Sequence, residues 1–217
     1  TDFDQMMIEL QNVSSPPPID AIVSNDTDAV ISGDIAASVT EDVSVDGDGD
    51  LVASGQLAIT DADAGSAFFE ATTISGAHGS LTIDAGGSWT YEVDNDLPAV
   101  QSLGVGATLT DTVTVSSVDG TAQSIAITIT GTNDVPAISG GLSGSVTEDE
   151  VLTASGLLSI ADPDAGESFF NEATIPGAHG SLTITPDGSW TYEVDNDLPE
   201  VQGLAQGQFL TDTVTVT

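Results

Sequence analysis

Gly76-Ala77-His78-Gly79-Ser80-Leu81-Thr82-Ile83, a turn at Asp84-Ala85-Gly86-Gly87, and then Ser88-Trp89-Thr90-Tyr91-Glu92-Val93-Asp94-Asn95-Asp96-Leu97-Pro98 form a stretch that recurs from Gly177 to Pro199. Only the turn differs in the second copy, where Thr185-Pro186-Asp187-Gly188 takes its place. His78 and His179, Trp89 and Trp190, and Asp111 and Asp212 keep a constant spacing of 101 residues (179 − 78), so the chain is a tandem repeat. Leu81 and Ile83 alternate with polar residues, as do Trp89, Tyr91 and Val93, which predicts two strands with one apolar face each, joined by Gly-Gly or Asp-Gly turn chemistry. The Trp and Tyr of each copy are therefore expected in a core rather than on a sugar-stacking platform.

A chain of 217 residues with this repeat suits two small domains, each with its own sandwich core. Its hydrophobic fraction of 39% and its many Val, Ile and Thr residues predict folded all-β structure rather than disorder. Against 35 acidic residues there is no lysine or arginine, giving a formal net charge of −35. Self-repulsion on that scale has to be relieved by counter-ions, salt or bound metal. Nucleic acid is excluded as a partner because phosphate binding needs Lys or Arg, and attraction to an anionic membrane is excluded for the same reason. With no cysteine, disulfides and thiolate metal sites are absent, and with no lysine an isopeptide crosslink is impossible. Divalent cations remain as the candidate staple. No segment is apolar for long enough to insert in a membrane, and Met6-Met7-Ile8 is too short for a signal-peptide core.

Residues 1–28 lie outside the clear repeat and contain the linker Ser14-Ser15-Pro16-Pro17-Pro18. Ile19 to Asp26 looks like a degenerate copy of Ile125 to Asp134 and is a candidate donor strand. The first unit, residues 29–134, carries predicted strands over Ile31–Val39, Leu57–Thr60, Phe69–Ile74, Leu81–Ile83, Trp89–Val93, Leu109–Val118 and Ser124–Thr130. Seven short strands with turns between them, in about a hundred residues, are the pattern of an immunoglobulin-like or cadherin-like sandwich. The second unit, residues 135–217, stops inside the strand matching Leu109–Val118, so it is expected to lack its final strand. Two explanations stay open: a fragment whose parent supplies the strand, or strand donation by residues 1–28 of a neighbouring copy into a filament.

Three acidic motifs recur. Glu41-Asp42 matches Glu148-Asp149, Asp61-Ala62-Asp63 matches Asp162-Pro163-Asp164, and Asn133-Asp134 at the junction has a possible predecessor in Asn25-Asp26. Each falls at a predicted strand end, and Glu41, Asp61, Asp63 and Asn133-Asp134 are expected to cluster at a pole of the sandwich. One reading is Ca²⁺ ligation, since Ca²⁺ takes six to eight oxygens from such groups; the other is solvated turn formation. The first unit also carries an insertion, Asp46-Gly47-Asp48-Gly49-Asp50, whose alternate Asp residues resemble the first half of an EF-hand loop. Leu51 and Leu57 stand where that loop needs glycine and glutamate, so a flexible hairpin tip is the alternative. His78 and His179 have no second convergent residue set, and no catalytic site is expected.

From Val39-Thr40-Glu41-Asp42, through Leu57 to Gly65, the Gly-Ser-Trp-Thr-Tyr hairpin, Leu109 to Val115 and Val118-Asp119-Gly120, to Gly131-Thr132-Asn133-Asp134-Val135-Pro136, the sequence resembles a bacterial VCBS repeat. These are cadherin-like modules of giant RTX-type adhesins. The resemblance covers about residues 29–217. It implies a secreted, cell-surface chain exported by a type I system, with calcium-rigidified sandwiches serving adhesion or biofilm formation. It also implies calcium ligands at Glu41, Asp61, Asp63, Asn133, Asp134, Glu148, Asp162 and Asp164. Neighbouring repeats, copies of the chain itself, or a surface glycan or protein are the implied partners. The insertion, the missing strand and the absence of a C-terminal export signal depart from the pattern.

Overall fold

In a computed structural model, residues 27–217 can be described. The first unit contains β1 (Val30–Gly33), β2 (Ala36–Thr40), β3 (Asp50–Thr60), β4 (Thr72–Ser75), β5 (Ser80–Ile83), β6 (Ser88–Asp94), a one-turn helix α1 (Pro98–Gln101), β7 (Thr108–Ser116) and β8 (Ala122–Thr130). They form two sheets, ordered β1-β3-β6-β5-β4 and β2-β8-β7. Every pairing is antiparallel except β2 with β8. The second unit contains β9 (Ala137–Gly140), β10 (Thr153–Ala161), β11 (Ala173–Pro176), β12 (Gly180–Ile184), β13 (Ser189–Val194) and α2 (Pro199–Gln202). Its sheet order, β11-β12-β13-β10-β9, repeats the larger sheet of the first unit.

The expected strand Ile31–Val39 is two strands in different sheets. After pairing with β3, the chain turns at Gly33, whose φ of 117° favours glycine and whose Cβ, if present, would lie 2.4 Å from the Gln56 carbonyl oxygen. It then enters the opposite sheet as β2, beside β8. Likewise, Leu57–Thr60 is only the second half of β3. Gly55 interrupts the apolar alternation there because the Trp89 ring fills its side-chain space, 2.4 Å from an added Cβ. The predicted Phe69–Ile74 strand begins only at Thr72, with Phe69 making an isolated bridge to Ser117.

Between the two sheets of the first unit lies the core. Ile125, Ile127 and Ile129 of β8 are fully buried, together with Leu51, Leu81, Trp89 and Tyr91 of the other sheet. At about 25 cal/mol per Å² of apolar area, each such side chain contributes roughly 1.5–3 kcal/mol, before chain entropy is set against it. The Trp89 indole N–H donates to the Asp34 carbonyl at 3.1 Å, which fastens the crossing between sheets. In the second unit, residues 209–217 have no strand ladder among the described residues. A groove of about 800 Å³, lined by Leu158, Leu182, Trp190, Tyr192 and Val201 among others, lies where β8 covers the first unit. The candidate donor segment Ile19–Asp26 lies outside the described residues.

Asp111 is a buried carboxylate on the inward face of β7. It accepts backbone N–H bonds from Ala77 (2.9 Å), His78 (3.0 Å) and Gly79 (3.1 Å), and the Tyr91 hydroxyl donates to it at 2.8 Å. Thus the Ala-His-Gly turn serves through its backbone. Glycine is required at position 76 because a Cβ there would stand 2.3 Å from Asp111 Oδ2. Burial works against the Asp111 charge, but the three N–H groups and the Tyr91 hydroxyl together hold its carboxyl below the usual carboxylate range. The second unit repeats the device, with His179 N–H and Tyr192 donating to Asp212 at 3.0 and 2.7 Å.

A folded pKa below the unfolded value of about 3.9 means that Asp111 stabilises the protein above that pH, and that this contribution is lost as pH falls through the folded value. Replacing Asp111 by Ala leaves several buried donors unpaired and is expected to cost on the order of 3 kcal/mol. Urea unfolding followed by circular dichroism at pH 7 measures the loss. The acid-induced fall in stability below about pH 4 should also be shallower in this variant.

Candidate metal centre

The ends of β2, β6 and β8 meet at one pole of the first unit, and the following unit begins there. Glu41 is wholly buried at this pole: its N–H donates to the Thr130 carbonyl at 2.9 Å, and its Oε2 accepts the Thr132 N–H at 3.1 Å. The next unit supplies Asp164, 1% exposed, whose Oδ2 accepts the Asp134 N–H at 2.9 Å. Asp162 in turn shapes the loop, its Oδ1 accepting the Asp164 N–H at 3.0 Å. A backbone bond from Ala165 N–H to the Ser102 carbonyl, 3.1 Å, fastens the same loop to the first unit.

Glu41 Oε1, Asp134 Oδ2 and Asp164 Oδ1 are buried at this junction without a hydrogen-bond partner. Burial, opposed by the Thr132 N–H, raises the Glu41 carboxyl, and the charges of Asp134, Asp42 and Asp164 push it further. Burial also raises Asp134, with Asp164, Asp42 and Asp162 adding repulsion. Five carboxylates therefore act on one another across the two units with no cationic side chain to offset them. Leaving a buried carboxylate oxygen unpaired costs several kcal/mol. Oxygen-only donors suit a hard cation, and the lack of sulfur and nitrogen donors here disfavours zinc. Among the described residues, no three acidic or histidine side chains already stand as a finished ligand set, so closure on an ion would require them to rotate inward.

Not every residue in the expected cluster belongs to this pole. β3 carries the chain from Asp50 at the junction end to Thr60 at the other, so Asp61 and Asp63 lie at the opposite pole from Glu41 and Asn133-Asp134. There Asp63 Oδ2 accepts the Thr27 N–H at 2.7 Å, the counterpart of the Asp134–Asp164 bond, and Asp61 Oδ2 is buried without a hydrogen-bond partner. Glu148 and Asp149 occupy the far pole of the second unit, where Glu148 Oε2 is again an orphan. The acidic residues are thus spread over three successive poles, each repeating part of one arrangement. Asn133 directs its side-chain amide to the Asp134 carbonyl.

Within the insertion, Asp46 acts as a turn former. Its Oδ1 accepts the N–H groups of Asp48 and Asp50, both at 2.9 Å, and these bonds hold its carboxyl below the usual range. Burial and the charges of Asp46, Asp94 and Asp48 raise Asp50.

Asn95 and Gln101, which carry no charge, also belong to this pole. Asp42 adopts a left-handed backbone, φ 56°, and Asn95 holds it on both sides: the Asp42 N–H donates to Asn95 Oδ1 at 3.0 Å, while Asn95 Nδ2 donates to Asp42 Oδ1 at 2.8 Å. Gln101 Nε2 donates to the Asn95 carbonyl at 3.0 Å. Asp149, Asn196 and Gln202 repeat this clamp. The signal was present, because both amides recur at the spacing of the repeat.

A model of the bacterial cadherin-like domain matches residues 25–131 and again residues 133–217. No curated protein sequence matches the chain. Among solved structures, extracellular cadherin domains 1–4 of protocadherin gamma B7 align over 82% of this chain and 44% of that one, at 18% identity and a TM-score of 0.50. Domains 1–4 of PcdhgB3 align over 82% and 43%, at 17% identity and a TM-score of 0.48. The chain therefore spans less than half the length of these structures. The likeness to the first is one of fold.

For an acid whose folded pKa is raised, stability is gained as pH falls through that folded value, the reverse of Asp111. In chelator, the melting temperature is expected to rise as pH is lowered through the raised folded pKa values of Glu41 and Asp134, because both take up protons there. Calorimetry on Glu41→Gln checks the assignment, since that variant should be more stable than the parent at pH 7 in chelator and show a flatter pH dependence.

Proposed function

The chain belongs to the bacterial cadherin-like domain family, and on that premise we propose that it is a calcium-stabilised spacer of a secreted surface adhesin. Modules of this family are extracellular adhesion-type and structural repeats rather than enzymes. No helix among the described residues is long and apolar enough to cross a membrane. The observation that carries the calcium reading is the set of orphan buried oxygens on Glu41, Asp134 and Asp164, contributed from both sides of one junction. Glu41, Asp42, Asp134, Asp162 and Asp164 would hold the ion, with Asn133 able to add a carbonyl or amide oxygen. Asp61 and Asp63 would form half of such a site at one pole, and Glu148 and Asp149 half of one at the other. A bound Ca²⁺ turns mutual repulsion into shared attraction and resists bending between units, which is what a spacer holding a binding domain away from a cell requires. Attachment to an RTX-type adhesin, type I export and a part in biofilm formation are the finer elements of this proposal, resting on the sequence resemblance. A glycan-binding role has less support, since Trp89 and Tyr91 are buried.

Calcium at a hundred times its dissociation constant should stabilise the native chain by about 2.7 kcal/mol. The expected signature is a crossover: Glu41→Gln melts above the parent in chelator and below it in millimolar Ca²⁺ at fixed ionic strength. Identical melting curves for the parent with and without Ca²⁺ would sink the calcium reading. Replacing Asp46, Asp48 and Asp50 by Asn in the same titration decides whether the insertion binds an additional ion, as a fall in bound calcium measured by equilibrium dialysis.

A second reading is favoured by the groove in the second unit. The first unit shows the chemistry of its occupant, a strand with isoleucine at alternate positions, supplied by continuing chain or by residues 19–26 of another copy. A peptide with the sequence of residues 122–131 should bind the groove and shift Trp190 fluorescence, whereas a version with Asp in place of Ile125, Ile127 and Ile129 should not. Deleting residues 1–28 and measuring particle size by light scattering identifies the donor, since an unchanged assembly state removes that segment from consideration.

A further inference from the structure

The outer face of the β2-β8-β7 sheet carries no charge. Outward residues of β7 are Thr108, Thr110, Thr112 and Thr114 with Ser116, and those of β8 and β2 are Thr, Ser and Ala alone. Asp111 is the only carboxylate on these strands and it points inward, buried. Cross-strand registry places Thr110 beside Thr128 and Thr108 beside Thr130, and the Thr114 and Ser124 hydroxyls lie 3.1 Å apart. The result is a regular field of methyl and hydroxyl groups without a long side chain. On the opposite sheet, by contrast, the exposed strand residues include Glu92 and Asp94. The pattern recurs in the second unit, where Thr211, Thr213 and Thr215 take the places of Thr110, Thr112 and Thr114 and are exposed.

In a chain of net charge −35 with no cationic residue, this distribution restricts what can approach. A second copy brings the same carboxylates, and like charges placed opposite one another cost several kcal/mol. The neutral face is where two copies can meet without that cost. Its short side chains allow close sheet-on-sheet packing, and Thr hydroxyls opposite one another can exchange hydrogen bonds. We propose that this face is a lateral self-association surface, on which a second copy of the chain packs through the same Thr/Ser/Ala field. Strands of nine, nine and five residues, at about 3.4 Å per residue and a spacing of about 4.8 Å, give roughly 380 Å². That is about half of the ~800 Å² per partner in a stable complex, so one contact is weak and repetition along the array supplies avidity. The association is held back by the charges elsewhere and strengthens as salt screens them.

The test uses the full chain in excess chelator, which separates it from the calcium reading: either can fail while the other stands. Sedimentation velocity in about 0.1 M and about 1 M NaCl, where the Debye length falls from about 10 to about 3 Å, should show monomer at the lower salt and reversible self-association at the higher. Thr110→Glu with Thr128→Glu should weaken association at least tenfold. Ser54→Glu with Ala58→Glu, which adds the same charge to the other sheet, should leave it unchanged. The uncharged pair Thr110→Val with Thr128→Val preserves strand propensity and should associate at least as well as the parent, which guards against loss through misfolding. A parent chain that stays monomeric in 1 M NaCl at the highest soluble concentration, or association equally strong in the Thr110/Thr128 glutamate variant, overturns the proposal. The latter outcome would point instead to the groove of the second unit.

Discussion

A carboxylate buried in this protein has no lysine or arginine within the chain to pair with, and that constraint organises much of the molecule. Two solutions are visible. At Asp111 the backbone itself supplies the compensation, three N–H groups of a glycine-rich turn and a tyrosine hydroxyl, and the acid is held ionised. At the junction the same accounting does not close: Glu41 and Asp164 each have one oxygen hydrogen-bonded by backbone and one left over. Both sites are buried and acidic, yet they differ in kind. The first is a completed structural network, whereas the second has coordination capacity to spare on oxygen atoms, which is the chemistry of a hard-cation site.

The fold was legible where the side-chain period was clean. Trp89, Tyr91 and Val93 mark a strand buried on one face, and β6 forms there between β3 and β5. The sandwich class followed from the number and spacing of such segments. Legibility failed where a glycine answers to something distant in sequence. Gly33 ends one strand because the chain must leave one sheet for the other, and Gly55 sits mid-strand because Trp89 needs its side-chain space. Neither requirement can be read locally, since each depends on a partner more than twenty residues away.

For the candidate site, the residue types and their recurrence were readable but the grouping was not. Glu41, Asp61 and Asp63 read as one cluster because all lie at strand ends. A strand has two ends, however, and the direction of β3 places the aspartates at the opposite pole. The acidic cluster at a junction therefore draws Asp162 and Asp164 from the following repeat, in place of Asp61 and Asp63 from the same one. Asn95 and Gln101 escaped notice for another reason: they carry no charge. Their work is to hold Asp42 in a left-handed conformation by hydrogen bonds on both sides, and only the repeat spacing marks them out.

The junction also has contacts that need no ion. Ala165 N–H reaches the Ser102 carbonyl, and the Glu167 carboxylate stands 2.9 Å from where a Cβ on Gly104 would be, so glycine at that position lets the second unit seat closely. The Ala165–Ser102 bond and the close seating at Gly104 hold the acidic 162–167 loop against the first unit. A cation entering such a site does not have to gather its ligands from separate bodies. The loops that carry the carboxylates are already docked by backbone geometry, so only side-chain rotation would remain for ion closure to order. The second unit has Gly203 and Ala205 where the first has Ser102 and Gly104. A module seated on that pole would meet a methyl group where Glu167 meets open space, so successive junctions built from one repeat need not share one geometry.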